Sequence, residues 1–500
     1  VPYSHLDLSN RNSQLQLTRA LHLLREELGL EAGFPPDVLA EARQAIAQHS
    51  RPTTDLTELG FITIDPPGST DLDQAVHLER TTAGYRVWYA IADVPAFVTP
   101  GGAIDREARR RGQTVYAPDG RISLHPELIS EDAASLLPGL VRPAYVWQFD
   151  LDETGAVQDM DLRRALIRSR AQLTYEQVQR DIDSGGAPEN LVLLREVGLL
   201  RIELERLRGG ASLSLPEQEI ANDGDRYFIL TSPPLPAEAW NAQISLLTGM
   251  AAAQLMIDGK IGVLRTMPPP DQESVARFRH QARVLGKPWP EDMAYGEFLR
   301  GLDTTEPRQL SLMHAAASLF RGAGYTAFDG DLPAAMSQAA IAAPYAHTTA
   351  PLRRLVDRFV LVICAALCEN TEVPGWVRDA LPELNSLMNS SNQLSSRMER
   401  GALDAVEAAL LSNLVGQEFD AVVIAGSKPP NGNTPADYIP VGTIQLADPA
   451  VEARCEGSLL AGEKVRVRLV RADIAARITR FELINGAPTP GVSGTAAGAG

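Results

Sequence analysis

From Phe61 to Val76 the chain reads Phe-Ile-Thr-Ile-Asp-Pro-Pro-Gly-Ser-Thr-Asp-Leu-Asp-Gln-Ala-Val. Phe61 to Ile64 is short, apolar and β-branched, which predicts a strand, and Pro66, Pro67 and Gly68 then force a loop. Apolar residues alternate again from Gln74 through Val76 and Leu78, Thr81 to Gly84 supply a turn, and Tyr85 to Ala90 supply a return strand. Asp65, Asp71 and Asp73 therefore stand together at the mouth of a strand. Their repulsion needs compensation, and a hard divalent cation such as Mg²⁺, which takes oxygen ligands and keeps waters for a phosphate, is one solution. Asp71 and Asp73 are two apart and point to the same side of an extended segment. A solvated turn is the other reading, because Asp hydrogen-bonds locally in turns.

The net charge of −17 excludes a uniformly basic surface, yet phosphate binding needs only clustered Lys and Arg. Arg106, Arg109, Arg110 and Arg111 form one block, Arg163, Arg164, Arg168 and Arg170 a second, and Arg353, Arg354 and Arg358 a third. Each alone reads as a solvated helix face; together they predict a basic path through an acidic body. No apolar run approaches a membrane span, and no basic-then-apolar leader opens the sequence, so a cytoplasmic protein is expected. Cys364, Cys368 and Cys455 suit a reduced compartment. Cys364 and Cys368 fall in the apolar run Phe359 to Cys368, where core thiols are expected rather than zinc ligands.

Helical periodicity marks 13–29 (Leu17, Leu21, Leu24, Leu28), 36–48, 172–208, 236–257, 271–285, 309–320 and 381–414. A further helix is expected to begin around Pro351. Pro382 is expected in the first turn of its helix, where its missing N–H is tolerated. Residues 51 to 160 read as strand-rich. Beyond Gly416 short alternating strands follow at Phe419–Ile424, Tyr438–Leu446, Val465–Val470 and Ala476–Leu483, the spacing of a small β-barrel. The tail from Gly486 to Gly500 carries no charge and no aromatic residue, which predicts disorder.

The string Ile64-Asp-Pro-x-x-x-x-Asp-x-Asp73 resembles the signature of the ribonuclease II (RNB) family of 3′-to-5′ exoribonucleases. Further stretches follow in that family's order: Phe34-Pro-Pro-Asp-Val-Leu-Ala-Glu-Ala, Ile91-Ala-Asp-Val-Pro-Ala-Phe-Val, Asp105 through Tyr116, Leu213-Ser-Leu-Pro-Glu217, and Tyr345-Ala-His-Thr-Thr-Ala-Pro-Leu-Arg353-Arg354. The stretch Gly462 to Asp473 resembles the end of an S1-type OB domain. The implied fold is α+β: a mixed-sheet RNB catalytic domain over 34–415, an all-β S1/OB barrel over 416–485, and a helical N-terminal segment over 1–33, of the kind found in winged-helix units. The two cold-shock barrels that family members commonly carry have no room ahead of residue 34.

The resemblance implies hydrolysis of RNA from its 3′ end to nucleoside monophosphates, aided by two Mg²⁺ ions for which Mn²⁺ can substitute. Asp65, Asp71 and Asp73 carry over as metal ligands, with Gln74 where the family has a further Asp. Asp73 and Arg353 carry over as catalytic. Tyr116, Tyr175, Glu399 and Arg354 carry over as RNA contacts, Arg354 with a structural role as its alternative. The partner is single-stranded RNA with a free 3′ end, acted on by a monomer. The neutral Gln74 keeps a second reading open, a non-catalytic or weakly active RNA-binding relative. A phosphoesterase acting on small nucleotides is a third, which the OB-like module argues against.

Overall fold

The computed structural model describes residues 11–211, 217–222, 227–232, 234–303, 306–317, 319, 321–427, 438–446 and 451–484. The tail from Gly486 and the stretch from Leu213 to Pro216 lie outside them. Helices α1 (Arg11–Glu27) and α2 (Pro36–Gln48) come first. Strands β1 (Ile62–Ile64), β2 (Gln74–Thr81) and β3 (Gly84–Ala92) follow as the alternation predicts. The β2–β3 turn requires glycine: Gly84 sits at φ +144° and a Cβ there would fall 2.3 Å from the Leu151 carbonyl oxygen. Helix α3 (Ala103–Arg111) leads into a small hairpin, β4 (Val115–Ala117) and β5 (Gly120–Ile122). The long pair β6 (Val141–Asp152) and β7 (Val157–Arg168), with β8 (Ala171–Leu173), completes a six-stranded sheet ordered β7-β6-β3-β2-β1-β8. It is mixed, since β1 pairs antiparallel with β2 and parallel with β8.

The helix expected over 172–208 is two helices. Thr174 caps α4 (Tyr175–Asp183) through a reciprocal box with Gln177. The chain then breaks at Gly185, φ +73°, and resumes after Pro188 as α5 (Glu189–Arg208). A hairpin of β9 (Glu217–Asn222) and β10 (Tyr227–Ser232) precedes α6 (Pro236–Asp258). Next come β11 (Ile261–Thr266), α7 (Gln272–Val284), α8 (Tyr295–Arg300), α9 (Pro307–Ala317) and β12 (Gly324–Asp329), the last antiparallel to β11. The two-residue strands β13 (Ser337–Gln338) and β14 (Ala343–Pro344) lead to α10 (Leu355–Cys368) and α11 (Gly375–Leu411). Helix α10 thus starts after Arg353 rather than at Pro351, with Pro351 to Arg353 held as a turn. Helix α11 starts six residues earlier than expected, so Pro382 lies inside it. Burial of Val377 and the packing of Trp376 on Phe359, 5.3 Å between ring centroids, extend the helix N-terminally past the proline.

The sheet is buried on both faces. Tyr89, Ile91 and Trp147 pack with α5, α6 and α10 on one side, whereas Trp88, Ala90 and Val146 meet α2 and α3 on the other. Sandwiching explains why β3 reads as a nearly continuous apolar run rather than an alternating one. The C-terminal strands β15 (Glu418–Ala425), β16 (Val441–Leu446), β17 (Glu452–Glu456), β18 (Lys464–Asp473) and β19 (Ile478–Leu483) close into a barrel of order β15-β16-β17-β19-β18. Strand β17, with Ala453 and Cys455 inward, escaped the sequence reading because charged residues flank that short alternation. The barrel is not separate: Leu17, Leu21 and Leu24 of α1, Met398 and Ala405 of α11, Val115 and Ile122 of the hairpin, and the barrel interior form one core. The expected fold class, a mixed α/β domain with N-terminal helices and a C-terminal barrel, is what the chain adopts. Among the described residues no helix is long and apolar enough to cross a membrane.

Candidate catalytic site

Three segments far apart in sequence meet at the carboxyl end of β1: the β1–β2 loop, the β4–β5 hairpin, and the loop from Tyr345 to Arg354. The first is pinned on several sides. Asp65 N donates to Leu173 O at 3.1 Å, Gln172 Nε2 to Ser69 O at 2.8 Å, Leu72 N to Ser135 Oγ at 2.9 Å and Ser135 Oγ to Thr70 O at 2.7 Å. With Leu72 fully buried, Asp71 and Asp73 are held on either side of an anchor. The other two segments are joined by backbone: Thr114 N donates to Arg353 O at 2.9 Å and Leu355 N to Gly112 O at 3.0 Å.

Asp73 is the buried member. Its Oδ1 accepts from Leu352 N at 2.8 Å, and Arg353 Nε lies 3.3 Å from its Oδ2. Burial pushes its carboxyl up to about 8, opposed by Arg353 and reinforced by Asp357 and Asp71. Burial also pushes Asp65 up to about 6, with Arg353 opposing and Asp71 adding. Asp71 is held by Arg121 Nη1 at 2.6 Å and by the Tyr116 hydroxyl, which donates at 3.3 Å. Arg121 also reaches Glu131 and Thr70, each at 2.6 Å. Thus two of the aspartates face guanidinium groups, while among the described residues none hydrogen-bonds to the Asp65 carboxylate. No three Asp, Glu, His or Cys side chains among the described residues enclose a metal by themselves. The donor set is nonetheless all oxygen, and the Asp71 charge raises the proton affinity of both Asp65 and Asp73, which fits a hard cation.

The other expected residues fall at different distances from this cluster. Arg353 keeps 45% of its side chain exposed, so most of its donors face solvent beside Asp73. Tyr116 is 49% exposed; partial burial and Asp71 push its hydroxyl up to about 12. Tyr175 opens α4, and its hydroxyl accepts from Asn241 Nδ2 at 3.3 Å; burial raises its pKa and the Asp65 charge adds to the rise. Gln74 has both ends of its amide engaged: Nε2 donates to Thr349 O at 2.5 Å and Oε1 accepts from the Tyr89 hydroxyl at 3.3 Å, which also bonds Ser245 at 2.7 Å. Arg354 pairs through two nitrogens with Asp357, at 3.0 and 2.8 Å, and Asp357 Oδ1 accepts from Ala350 N at 2.7 Å. That places Arg354 in the frame of the loop. Glu399 is exposed on α11, and among the described residues no hydrogen bond or ion pair joins it to the aspartates.

The basic path expected from the three arginine blocks is corrected. Arg111 is buried, bonded to Glu107 at 2.7 Å and Ser123 O at 2.8 Å; Arg110 pairs with Glu107, Arg109 with Asp105, and Arg106 with Gly101 O. Arg164 pairs with buried Asp93, Arg163 with Asp161, and Arg170 with Thr57 O. Arg358 pairs with Asp105 in the interior. Arg111, Arg164 and Arg358 build scaffold, Arg106, Arg110, Arg163 and Arg170 lie nearer the surface on neighbouring acceptors, and Arg353 is the exposed one at the cluster. No local pattern in the sequence links Arg121, Tyr89, Asn241 and Thr349 to the aspartates. Only the Asp119-Gly120 turn, which predicts a hairpin ahead of Arg121, was there to be read.

The RNB domain family model matches residues 53–370, and that of the RNase II-type exonuclease C-terminal S1 domain matches residues 417–484. The chain is similar to Ribonuclease R of Escherichia coli (strain K12), 27% identical over 422 residues covering 78% of this chain and 50% of that one. It spans about half the length of the curated relatives it matches. Its fold is similar to the apo form of Mycoplasma genitalium RNase R, with TM-score 0.82 at 19% identity over 94% of this chain and 78% of the other. It is also similar to yeast Ssd1, described as a pseudonuclease, with TM-score 0.64 at 17% identity over 92% and 57%.

Proposed function

Because the chain belongs to the RNB-domain family of RNase II/R-type exoribonucleases and continues into their C-terminal S1 domain, we propose that it is a metal-dependent 3′-to-5′ exoribonuclease. It would hydrolyse single-stranded RNA from the 3′ end and release nucleoside 5′-monophosphates, as a monomer. The observation that carries this is the cluster itself: Asp65, Asp71 and Asp73 on one pinned loop, beside the exposed guanidinium of Arg353 and between two tyrosines.

Asp65, Asp71 and Asp73 would hold Mg²⁺, or Mn²⁺ in its place. When bound, the ions supply activation of the attacking water and charge stabilisation at the leaving oxygen. The chain's own residues do the rest. Arg353 has its Nε on Asp73 and its remaining donors turned outward, the arrangement that grips a phosphate oxygen while staying fixed in direction. Tyr116 offers a half-exposed ring on which any base can stack, and Tyr175 lies on the Asp65 side for the terminal nucleotide. Arg354 acts through Asp357 by keeping the Ala350-to-Arg353 turn closed, and Glu399 is the outlying candidate RNA contact. Gln74 Oε1 would have to leave Tyr89 to serve as a ligand; in place, it ties β2 to Thr349.

A second reading, RNA binding without turnover, is favoured by Gln74 alone, since it removes a charge from the site. Labelled single-stranded RNA, with and without EDTA, separates the two. Mononucleotide release that stops with EDTA is expected; tight binding with no release under any divalent cation would sink the nuclease reading.

A further inference from the structure

Tyr116 and Arg121 face each other across a hairpin of three-residue strands, and both touch Asp71. A hairpin that short is not stable by itself. Its base is held by the Arg353 loop, but its tip, Pro118-Asp119, belongs to no sheet. What holds the tip is α1. Arg25 forms an ion pair with Asp119 across 94 residues of sequence, and the two side chains are only 23% and 17% exposed. Behind the pair, Val115 and Ile122 share a core with Leu17, Leu21 and Leu24. Helix α1 is itself seated closely: a Cβ on Gly401 of α11 would lie 2.9 Å from Leu24 Cδ2. Glu27, near Arg25, grips Arg477 of the barrel at 2.7 Å. One short helix thus touches the hairpin tip, the long helix and the barrel.

We propose that Arg25 is a positioning residue: through Asp119 it fixes the height of the Tyr116 ring, and of Arg121, above Asp71. With that height it sets how short a 3′ end the site can still hold. The restraint on the hairpin stands on geometry alone; its consequence for RNA rests on the exoribonuclease reading above. Freed from Arg25, the hairpin keeps its base and its core side but loses its tip. The ring then samples positions off the cluster, and substrates with few other contacts suffer most. Long RNA, with contacts beyond the terminal nucleotides, is affected least.

The test uses the full chain and two separate readouts. In Arg25→Ala, amide hydrogen exchange over residues 115–122 should quicken about tenfold without faster exchange in the β2–β3 sheet. The residual oligonucleotide should lengthen, and KM for short oligonucleotides should rise about tenfold, with kcat on long RNA within about twofold. Arg25→Lys should lie between. The charge swap Arg25→Asp with Asp119→Arg should restore both exchange and product length, which a merely structural loss would not do. Unchanged hairpin exchange in Arg25→Ala, or a swap that rescues neither readout, would overturn the proposal. Wild-type protein that releases no mononucleotide would overturn the nuclease reading instead, and the exchange arm would still decide the restraint.

Discussion

Asp73 is the residue on which the most chemistry converges, because of the three clustered aspartates it is the buried one and the one bonded to the Arg353 loop. Asp73→Asn keeps an oxygen for Leu352 N but removes the charge. Hydrolysis should fall by roughly a thousandfold or more, the order expected when one preorganised stabiliser of the reacting phosphate is lost, with RNA affinity nearly unchanged. Wild-type turnover in this variant would remove Asp73 from the site. Gln74 poses the opposite question. An Asp there restores a charge, yet it is too short to span from β2 to the Thr349 carbonyl. The expected outcome is a lower Mg²⁺ requirement together with a loss of about 1 kcal/mol of stability. A Mg²⁺ titration superimposable on that of the wild type would show that Gln74 is only a strut.

At the scale of elements, α3 and α10 show why arginine blocks misled the sequence reading. Arg358 and Asp105 pair in the interior, each nearly inaccessible. Arg358→Ala leaves Asp105 with Arg109, at 3.3 Å, and the Gly101 amide, at 2.9 Å, and should cost about 3–5 kcal/mol in chemical denaturation. The salt dependence of RNA binding should not move, because this charge never meets phosphate; a shallower salt slope would return the block to the RNA path. The β4–β5 hairpin makes the complementary case. Tyr116→Ala removes the exposed ring but not the hairpin's core residues Val115 and Ile122. It should change the length of the final oligonucleotide more than the rate on long RNA, and an unaltered end product would reduce Tyr116 to packing.

Across the whole molecule the barrel and the RNB domain are joined by a shared core and by a buried acid. Glu407 of α11 is 3% exposed, and its Oε1 has no hydrogen-bond partner among the described residues. Burial, with the charges of Asp404 and Glu452 adding, pushes its carboxyl up to about 9; Glu452 in turn lies 3.4 Å from His314 of α9. The folded protein therefore holds this proton where the unfolded chain, titrating near 4.5, has lost it. Stability should fall as pH rises from about 4.5 towards 9. Glu407→Gln should flatten that decline and raise the melting temperature at pH 8.5 more than at pH 5. Parallel pH profiles for variant and wild type would show that another group sets the slope.

Features that depend on neighbours along the chain were legible in the order of residues. Proline, glycine and β-branched residues set the strand, loop and strand around Asp65, Asp71 and Asp73. Leucine spacing set α1, and period-two alternation set most of the barrel. The ordered motifs placed Tyr116, Tyr175 and Arg353 in one family's pattern, and the structure brings them beside the same aspartates. Which charge meets which is settled only in three dimensions. Gln74 finds Thr349 across 275 residues, Asp71 takes Arg121, Arg25 reaches Asp119, and Arg111, Arg164 and Arg358 turn to carboxylates of the scaffold while Arg353 stays exposed at the cluster. An ion pair is set by distance and burial in space, and a guanidinium looks the same in the sequence whether it faces a phosphate, a buried carboxylate or water.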